Sequence, residues 1–309
     1  WPETSQYLNH STAILAKLML VVNRYNPALE LGKKYPNILH ALPMLDYFVY
    51  PNNDIVRWGD GHRRAHAPYE AYENAYTLAK MDGLKTLQEK FAPLIKRAID
   101  KGKYRRNNPE ALFWYTNDRS NEIATIDLPR TDRVYHAGII MQRNLSSTKK
   151  PKDGLMCFVG GAHMVHGHAE GMNIELYGEG QVLGVDNGRD RYAKDIHENY
   201  SRIFASHNTV IVNGSSQGEG GWVNLGINPV KPIAMEPEVG KEGVSPYHSF
   251  SLTSFEDDKG HKAEATQERT LALVRTSPTT GYYVDVFRSK SKLPNEYHDY
   301  LYHNIGDEL

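Results

Sequence analysis

Residues 155–177 of this 309-residue chain, LMCFVGGAHMVHGHAEGMNIELY, decide the fold class of its second half. Two short apolar runs, 155–159 and 173–177, are bounded by glycines and separated by a segment with three histidines within six positions. Short runs bounded by glycine are typical of β-strands rather than helices. The stretch therefore predicts two strands and a polar connection that carries chemistry.

The same texture extends along residues 134–309. Runs rich in Val, Ile and Tyr recur without intervening helices, at 134–141, 155–159, 173–177, 209–212, 270–275 and 282–287. Many short strands of this kind predict an antiparallel β-sandwich.

The first part of the chain, 1–103, has helical periodicity instead. Leu8, Leu15, Met19 and Val22 recur at helical spacing, and the run ends at Asn26-Pro27. Three further helical segments are predicted over 36–50, 68–81 and 84–98, and short connections between them favour antiparallel helix pairs. A polar loop, 57–64, interrupts the helices, and 104–133 is predicted to be an interdomain linker.

Composition narrows the classes of partner. The 36 Lys and Arg residues balance 37 Asp and Glu residues, so the basic excess of a nucleic-acid-binding protein is missing. A local cationic cleft for a polyanion needs no such excess. The 20 tyrosines suit sugar rings, although a polar tyrosine-rich surface is an equal interpretation.

Other features of the sequence limit its environment. Cys157 is the single cysteine, which excludes an intrachain disulfide, and its apolar neighbours predict a packed core thiol. No apolar stretch approaches the roughly 18 residues of a membrane span. The chain begins at Trp1 without a signal peptide, so we expect a processed or excised piece.

The histidine-rich segment suggests a metal site. In an extended chain His166 and His168 would project to the same face. Asp186 and His207 are two further candidate ligands, and two imidazoles with a carboxylate suit Zn²⁺. Each of these side chains taken alone is more often an ordinary hydrogen-bonded group.

The order of motifs resembles the heparinase II/III-type polysaccharide lyases. HGHAE at 166–170, GVDNG at 184–188 and SHNTVIV at 206–212 are similar to the His-x-His, Asp-x-Gly turn and His-Asn-Thr strand of that family. The resemblance implies a catalytic His166 and a structural zinc, or another divalent metal, bound by His168, Asp186 and His207. It also implies an α+β multidomain protein: a partial (α/α) toroid without its N-terminal helices, then the sandwich.

A second part of the resemblance lies at the start of the chain. WPETSQY at 1–7 is similar to the family's Trp-x-Glu-x-x-x-Tyr stretch, which assigns the catalytic tyrosine to Tyr7. Glu3 would orient Tyr7 or cap the following helix. His62, Arg63 and Asn117 are candidate substrate-binding residues, because a substrate carboxylate needs neutralising groups; a solvated loop is the alternative for the arginines.

The resemblance implies β-elimination in an acidic, uronate-containing polysaccharide. Alginate is favoured because residues 173–177 and 297–300 resemble the alginate-cleaving members of the family. The alternatives are a glycosaminoglycan lyase for heparin, heparan or chondroitin, a zinc hydrolase, and a non-catalytic carbohydrate-binding protein. The hydrolase lacks a His-Glu-x-x-His arrangement. A secreted or periplasmic bacterial protein is the expected setting, without nucleic-acid or membrane partners.

Overall fold

The computed structural model describes residues 4–63, 69–100, 102–106, 108–114, 128–161, 166–214, 230–257 and 265–306. Its backbone divides into two compact units. A helical unit comprises 5–47 and 66–128, and a β unit comprises 1–4, 48–65 and 129–309. Within the described residues, no helix has the length and apolar character to cross a membrane.

The helical unit contains six α-helices among its described residues. They are α1 (Ser5–Tyr25), α2 (Leu31–Lys34), α3 (Pro36–Ala41), α4 (Tyr69–Met81), α5 (Lys85–Asp100) and α6 (Ala111–Trp114), with 3₁₀ turns at Pro27–Leu29 and, at the junction of the units, Leu42–Phe48. Helix α1 ends before Pro27, as the sequence predicted. Gly102, at a φ of +64°, follows α5 and donates its N–H to the Ile99 carbonyl, which is the expected glycine termination.

Alanines at every fourth position of α4 allow close helix packing. Ala71, Ala75 and Ala79 are buried in one core with Leu20 of α1 and Phe91 of α5. Full burial of a side chain such as Leu or Phe contributes about 1.5–3 kcal/mol, so this core is the main source of stability in the unit.

Residues 104–114, within the predicted linker, pack on the helical core. Trp114 of α6 is buried, and its carbonyl accepts the Thr77 hydroxyl at 2.8 Å. The phenol of Tyr104 and the guanidinium of Arg106 both bind Glu73, which is 1% exposed. A buried carboxylate needs such partners, and the sequence pattern alone did not reveal them.

The strands of the β unit form three antiparallel sheets among the described residues. The first has the order β1 (Thr131–Val134), β2 (Ile139–Asn144), β3 (Leu155–Gly160), β4 (Asn173–Gly178), β5 (Gln181–Leu183). The second has the order β10 (Gly281–Ser291), β9 (Ala265–Arg275), β8 (His248–Asp257), β7 (Lys231–Glu236), and the third pairs β11 (His298–Tyr300) with β6 (Val210–Val212). The observed class is therefore mixed helix and antiparallel sheet.

The two larger sheets share one hydrophobic core. Ile140, Val159 and Ile174 of the first sheet lie in the same cluster as Phe255 and Leu271 of the second. Cys157 also lies in this core, and burial raises the pKa of its thiol, so the prediction of a packed core cysteine is confirmed.

The predicted strand 134–141 is wrong as a single element. A 3₁₀ turn, Tyr135–Ala137, separates β1 from β2, and Gly138 follows it at a φ of +63°. A side chain at Gly138 would lie 2.4 Å from the Val230 carbonyl, so the position requires glycine. The pattern concealed the break because Val134 stands directly before the turn and Ile139, Ile140 and Met141 follow it.

Residues 48–63, which the sequence analysis placed with the helices, cover β3 and β4. Both strands are buried along their whole length. Tyr50 stacks on Tyr177 at 5.3 Å, and Trp58 stacks on Phe158 at 5.7 Å, measured between ring centroids. This cover explains why β3 and β4 lack the apolar–polar alternation of a half-exposed strand.

Candidate active site

Two polar segments of the β unit, the loop 57–63 and the turn 186–192, lie against each other. Gly188 in the turn has a φ of +63°, and a side chain there would lie 2.6 Å from the Gly61 carbonyl. Arg57 donates to the carbonyls of Asp186 at 2.9 Å and Asn187 at 3.0 Å. Backbone contact this close holds the two segments in a fixed relation.

Glu175 of β4 anchors the loop 57–63. This carboxylate is fully buried and accepts the Tyr50 hydroxyl, the Arg57 N–H and the two terminal nitrogens of Arg63. Burial opposes the charge on Arg63, but Glu175 outweighs it and raises the pKa of the guanidinium. Arg63, a predicted substrate-binding residue, therefore forms a buried ion pair with Glu175 in this structure.

Asp60 lies at the centre of the loop and binds three groups. Its N–H donates to the His166 carbonyl at 2.8 Å, its Oδ1 lies 2.9 Å from His168 Nε2, and its Oδ2 accepts the Tyr192 hydroxyl at 2.9 Å. Burial raises the pKa of a carboxyl, but His168 and Tyr192 outweigh burial and lower the pKa of Asp60. Asp60 is thus an ionised group that links the loop to the histidine-rich segment.

His166 and His168 do not share a face in the way that an extended strand would place them. Residues 166–170 are not part of a strand, and His166 has a φ of +50°. His166 is partly exposed, whereas His168 is fully buried. The premise of strand alternation was therefore wrong, although the structure separates an accessible imidazole from a buried one.

His207 and Asp186 form a buried pair. His207 Nδ1 lies 2.7 Å from Asp186 Oδ2, and the other Asp186 oxygen accepts the Gly188 N–H at 2.5 Å. Asn173 donates to Asp186 Oδ2 at 2.6 Å. Burial would raise the pKa of Asp186, but His207 outweighs burial and holds it at about 2.

The donor atoms of the predicted zinc set fit a metal in part. His168 Nδ1 and His207 Nε2 have no hydrogen-bond partner among the described residues, and their ring centroids lie 5.5 Å apart. Burial, with the nearby His207, lowers the pKa of His168 despite Asp60, which favours the neutral imidazole that binds metals. The oxygens of Asp186 are already engaged, so Asp186 resembles a group that orients His207.

His197 is a histidine that the sequence analysis missed. It is fully buried, and its Nε2 lies 3.6 Å from Asp60 Oδ1. Asp60, His168 and His197 have donor atoms that all lie within 4.8 Å of one another, and in the part of the chain that the structure describes this is the one such group. His197 stands in a charged stretch far from any recognisable motif, so only its burial identifies it.

The remaining predicted site residues belong to different parts of the chain. Tyr7 lies in the first turns of α1 and is partly buried in the helical unit. His62 is partly exposed, and its Nε2 accepts the Nε–H of Arg189 at 2.9 Å. Glu3 and Asn117 lie outside the described residues, as does His163 of the histidine-rich segment.

Comparisons with known proteins find similarity in both halves of the chain. Residues 1–128 match the family model of the second domain of endo-acting ulvan lyase, and residues 154–267 match that of the heparinase II/III-like C-terminal domain. An endo-acting ulvan lyase from Formosa agariphila is 35% identical over 327 aligned positions, which cover 99% of this chain and 40% of that protein. The chain thus spans well under half the length of that relative.

Solved structures show the same fold at low identity. A mutant of the heparan sulfate lyase HepC from Pedobacter heparinus superposes with a TM-score of 0.58 and 13% identity, over 94% of this chain and 38% of that one. Another structure of HepC from the same organism superposes with a TM-score of 0.52 and 10% identity. The match covers 92% of this chain and 38% of that one. The family resemblance predicted from the sequence is confirmed for residues 154–267, which match the heparinase II/III-like C-terminal domain.

Proposed function

We propose that this chain is the catalytic part of a polysaccharide lyase that cleaves a uronate-containing polysaccharide by β-elimination. The observation that carries the proposal is the 35% identity to an endo-acting ulvan lyase, because it extends over 99% of the chain. A partial (α/α) toroid followed by a β-sandwich is the finer architecture that we propose for the two units.

The reaction explains why such residues are needed. A base removes the proton at C5 of the uronate, the C4–O bond breaks, and a C4–C5 double bond forms while the leaving oxygen gains a proton. The negative charge that develops on the carboxylate must be neutralised by hydrogen bonds or cations. The products therefore carry an unsaturated uronate at the new non-reducing end.

His166 and Tyr7 are proposed as the groups that move protons. His166 is partly exposed, and the Asp60 N–H holds its carbonyl, so its backbone has a fixed position. An imidazole can take or give a proton near neutral pH, whereas a phenol needs cationic neighbours to act as a base. We assign the base and the acid to the pair jointly, because the choice depends on the configuration of the sugar at C5.

A structural zinc, or another divalent metal, at the buried histidines remains part of the proposal. His168 and His207 offer the unpartnered nitrogens, with either Asp186 or Asp60 near them. A metal bound there would fix the segments on which His166 and Asp60 stand. The proton transfers themselves require only the residues of the chain.

The proposed substrate is ulvan ahead of alginate. Ulvan is a uronate-containing polysaccharide and is the substrate in the name of the 35%-identical relative. Alginate, which the sequence resemblance favoured, and the glycosaminoglycans are the next candidates. A polymer of this size must be cut outside the cell, so we expect the protein to be exported.

The experiment is to incubate the purified protein with ulvan, alginate, heparan sulfate, chondroitin and hyaluronan and to follow the ultraviolet absorbance of unsaturated uronate. We expect a signal from ulvan. Tyr7→Phe and His166→Ala should each lower turnover by about 10²- to 10⁴-fold with folding intact. The exposed His248→Gln is the matched control. Cleavage without unsaturated products would replace the lyase by a hydrolase, and binding without cleavage would indicate a carbohydrate-binding protein.

A further inference from the structure

Arg189 in the turn 186–192 is a partly buried arginine that pairs with no carboxylate in the part of the chain that the structure describes. Its Nε donates to His62 Nε2 at 2.9 Å, and its guanidinium carbon lies 4.8 Å from the centroid of the Tyr192 ring. No carboxylate within the described ranges lies at ion-pair distance from it. The two terminal nitrogens thus keep the planar fork that matches a carboxylate.

The position of Arg189 is fixed by its surroundings. The neighbouring Gly188 packs against the Gly61 carbonyl, so Arg189 and His62 are brought together by backbone contact. Tyr192, whose ring lies beside the guanidinium, is held by the hydrogen bond from its hydroxyl to Asp60. An arginine that is oriented in advance loses less entropy when it binds an anion.

The acidic residues closest in sequence to this pair are occupied elsewhere. Asp60 binds His168 and Tyr192, and Asp190 accepts the Ser201 hydroxyl at 2.6 Å. The His62 imidazole accepts the Arg189 hydrogen bond through Nε2, so an imidazole rather than a carboxylate orients the guanidinium.

We propose that Arg189, oriented by His62 and Tyr192, is a binding subsite for the carboxylate of a uronate in the polysaccharide. This inference rests on the proposed function for its substrate class. Two parallel N–H···O bonds from one guanidinium would bind the carboxylate and offset its charge. The subsite would give this protein a neutralising group within the β unit, and it includes His62, which the sequence analysis had selected.

The test is binding to ulvan and to ulvan whose carboxylates have been reduced to alcohols, measured by affinity electrophoresis. We expect the wild-type protein to bind native ulvan more tightly than the reduced polymer. Arg189→Ala should weaken binding to native ulvan by about tenfold to a hundredfold and leave binding to the reduced polymer unchanged. Arg189→Lys should recover only part of the affinity, because an ammonium lacks the fork.

Arg191→Ala is the matched control, because Arg191 is exposed on the same turn, and it should change affinity less than twofold. Equal losses in Arg189→Ala and Arg191→Ala, or no loss in Arg189→Ala with its melting temperature unchanged, would overturn the subsite. His62→Gln provides a second variant in case Arg189→Ala does not fold; it should weaken binding to native ulvan only. Carboxylate-dependent binding without unsaturated products would refute the lyase and leave the subsite standing.

Discussion

Asp82 of the helical unit and three histidines of the β unit are all buried, but their hydrogen bonding differs. In the helical unit, Asp82 accepts hydrogen bonds from Asn23 and from the Gly32 N–H, both at 2.7 Å. In the β unit, His168, His197 and His207 are equally buried, yet each has one ring nitrogen without a hydrogen-bond partner among the described residues.

This difference in hydrogen bonding distinguishes structural ion pairs from a candidate binding site. A buried polar group without a partner costs about 1–3 kcal/mol, so a fold tolerates it where the group has another use. Two buried carboxylates form structural ion pairs, Glu73 with Arg106 and Glu175 with Arg63. Three incompletely bonded imidazoles beside two ionised carboxylates form the kind of arrangement that binds a metal.

Arg63→Ala tests the buried ion pair between Arg63 and Glu175 in the β unit and should have the largest effect on stability. Removal of the guanidinium leaves Glu175 as an uncompensated buried charge, which costs about 3–5 kcal/mol. Urea denaturation measures the change, with the exposed Arg191→Ala as control. A loss below about 1 kcal/mol, together with a raised KM for polysaccharide, would return Arg63 to the substrate-binding role that the sequence suggested.

Removal of the metal tests the incompletely bonded cluster. Zinc at 100 times its Kd should stabilise the protein by about 2.7 kcal/mol, and a chelator should abolish this gain. Hydrogen exchange of the Asp60 N–H should rise at the same time, because Asp60 joins the loop 57–63 to the histidines. Elemental analysis of the purified protein gives the metal content directly.

Single substitutions identify the metal ligands. We expect His207→Gln to lose the metal and the exposed His248→Gln to keep it. Loss in His197→Gln with retention in His207→Gln would instead assign the site to Asp60, His168 and His197. A wild-type protein without bound metal, indifferent to chelator, would contradict both assignments.

Glu73→Gln tests the buried ion pair between Glu73 and Arg106 in the helical unit and should have a smaller effect on stability. The substitution keeps the shape of the side chain and removes the charge that Arg106 and Tyr104 share, at a cost of about 1.5–3 kcal/mol. Glu89→Gln, on an exposed position of α5, is the control. Metal content should not change in either variant; a loss of metal in Glu73→Gln would contradict the separation of the two clusters.

Cys157 gives the smallest expected effect. Burial raises the pKa of its thiol, so a thiol reagent should not modify the native protein and should react fully in denaturant. Rapid modification of the native protein would show that the shared core opens readily. Native protection would confirm that this core is closed.

Much of the architecture could be predicted from local signals. Asn26-Pro27 and Gly102 gave the ends of α1 and α5, because proline and glycine act on the backbone without tertiary help. The sequence runs around 155–159 and 173–177 predicted β3 and β4. Strand β8 was missed, since alternation with serine and threonine is a weaker strand signal than a run of valine and isoleucine.

The candidate site could be predicted only where a motif marks it. His166, His168, Asp186 and His207 stand in recognisable patterns, whereas His197, Tyr192 and Arg189 lie in a charged stretch without such a pattern. Asp60 lay in a loop that looked functional, but its contacts with His168 and Tyr192 join residues more than 100 positions apart. Such contacts depend on the tertiary fold, which the spacing of residues in the sequence cannot show.

The sequence by itself determined the helical first part, the strand-rich second part, the family resemblance and the histidine motif. Each of these depends on residues close together in the chain, where periodicity and turn chemistry act directly. Only the tertiary structure decided that residues 48–63 cover β3 and β4, that Arg63 pairs with Glu175, and that Arg189 binds His62 and no carboxylate among the described residues. Burial and pairing of charges are properties of the folded surface, because they depend on which distant segments exclude water from one another.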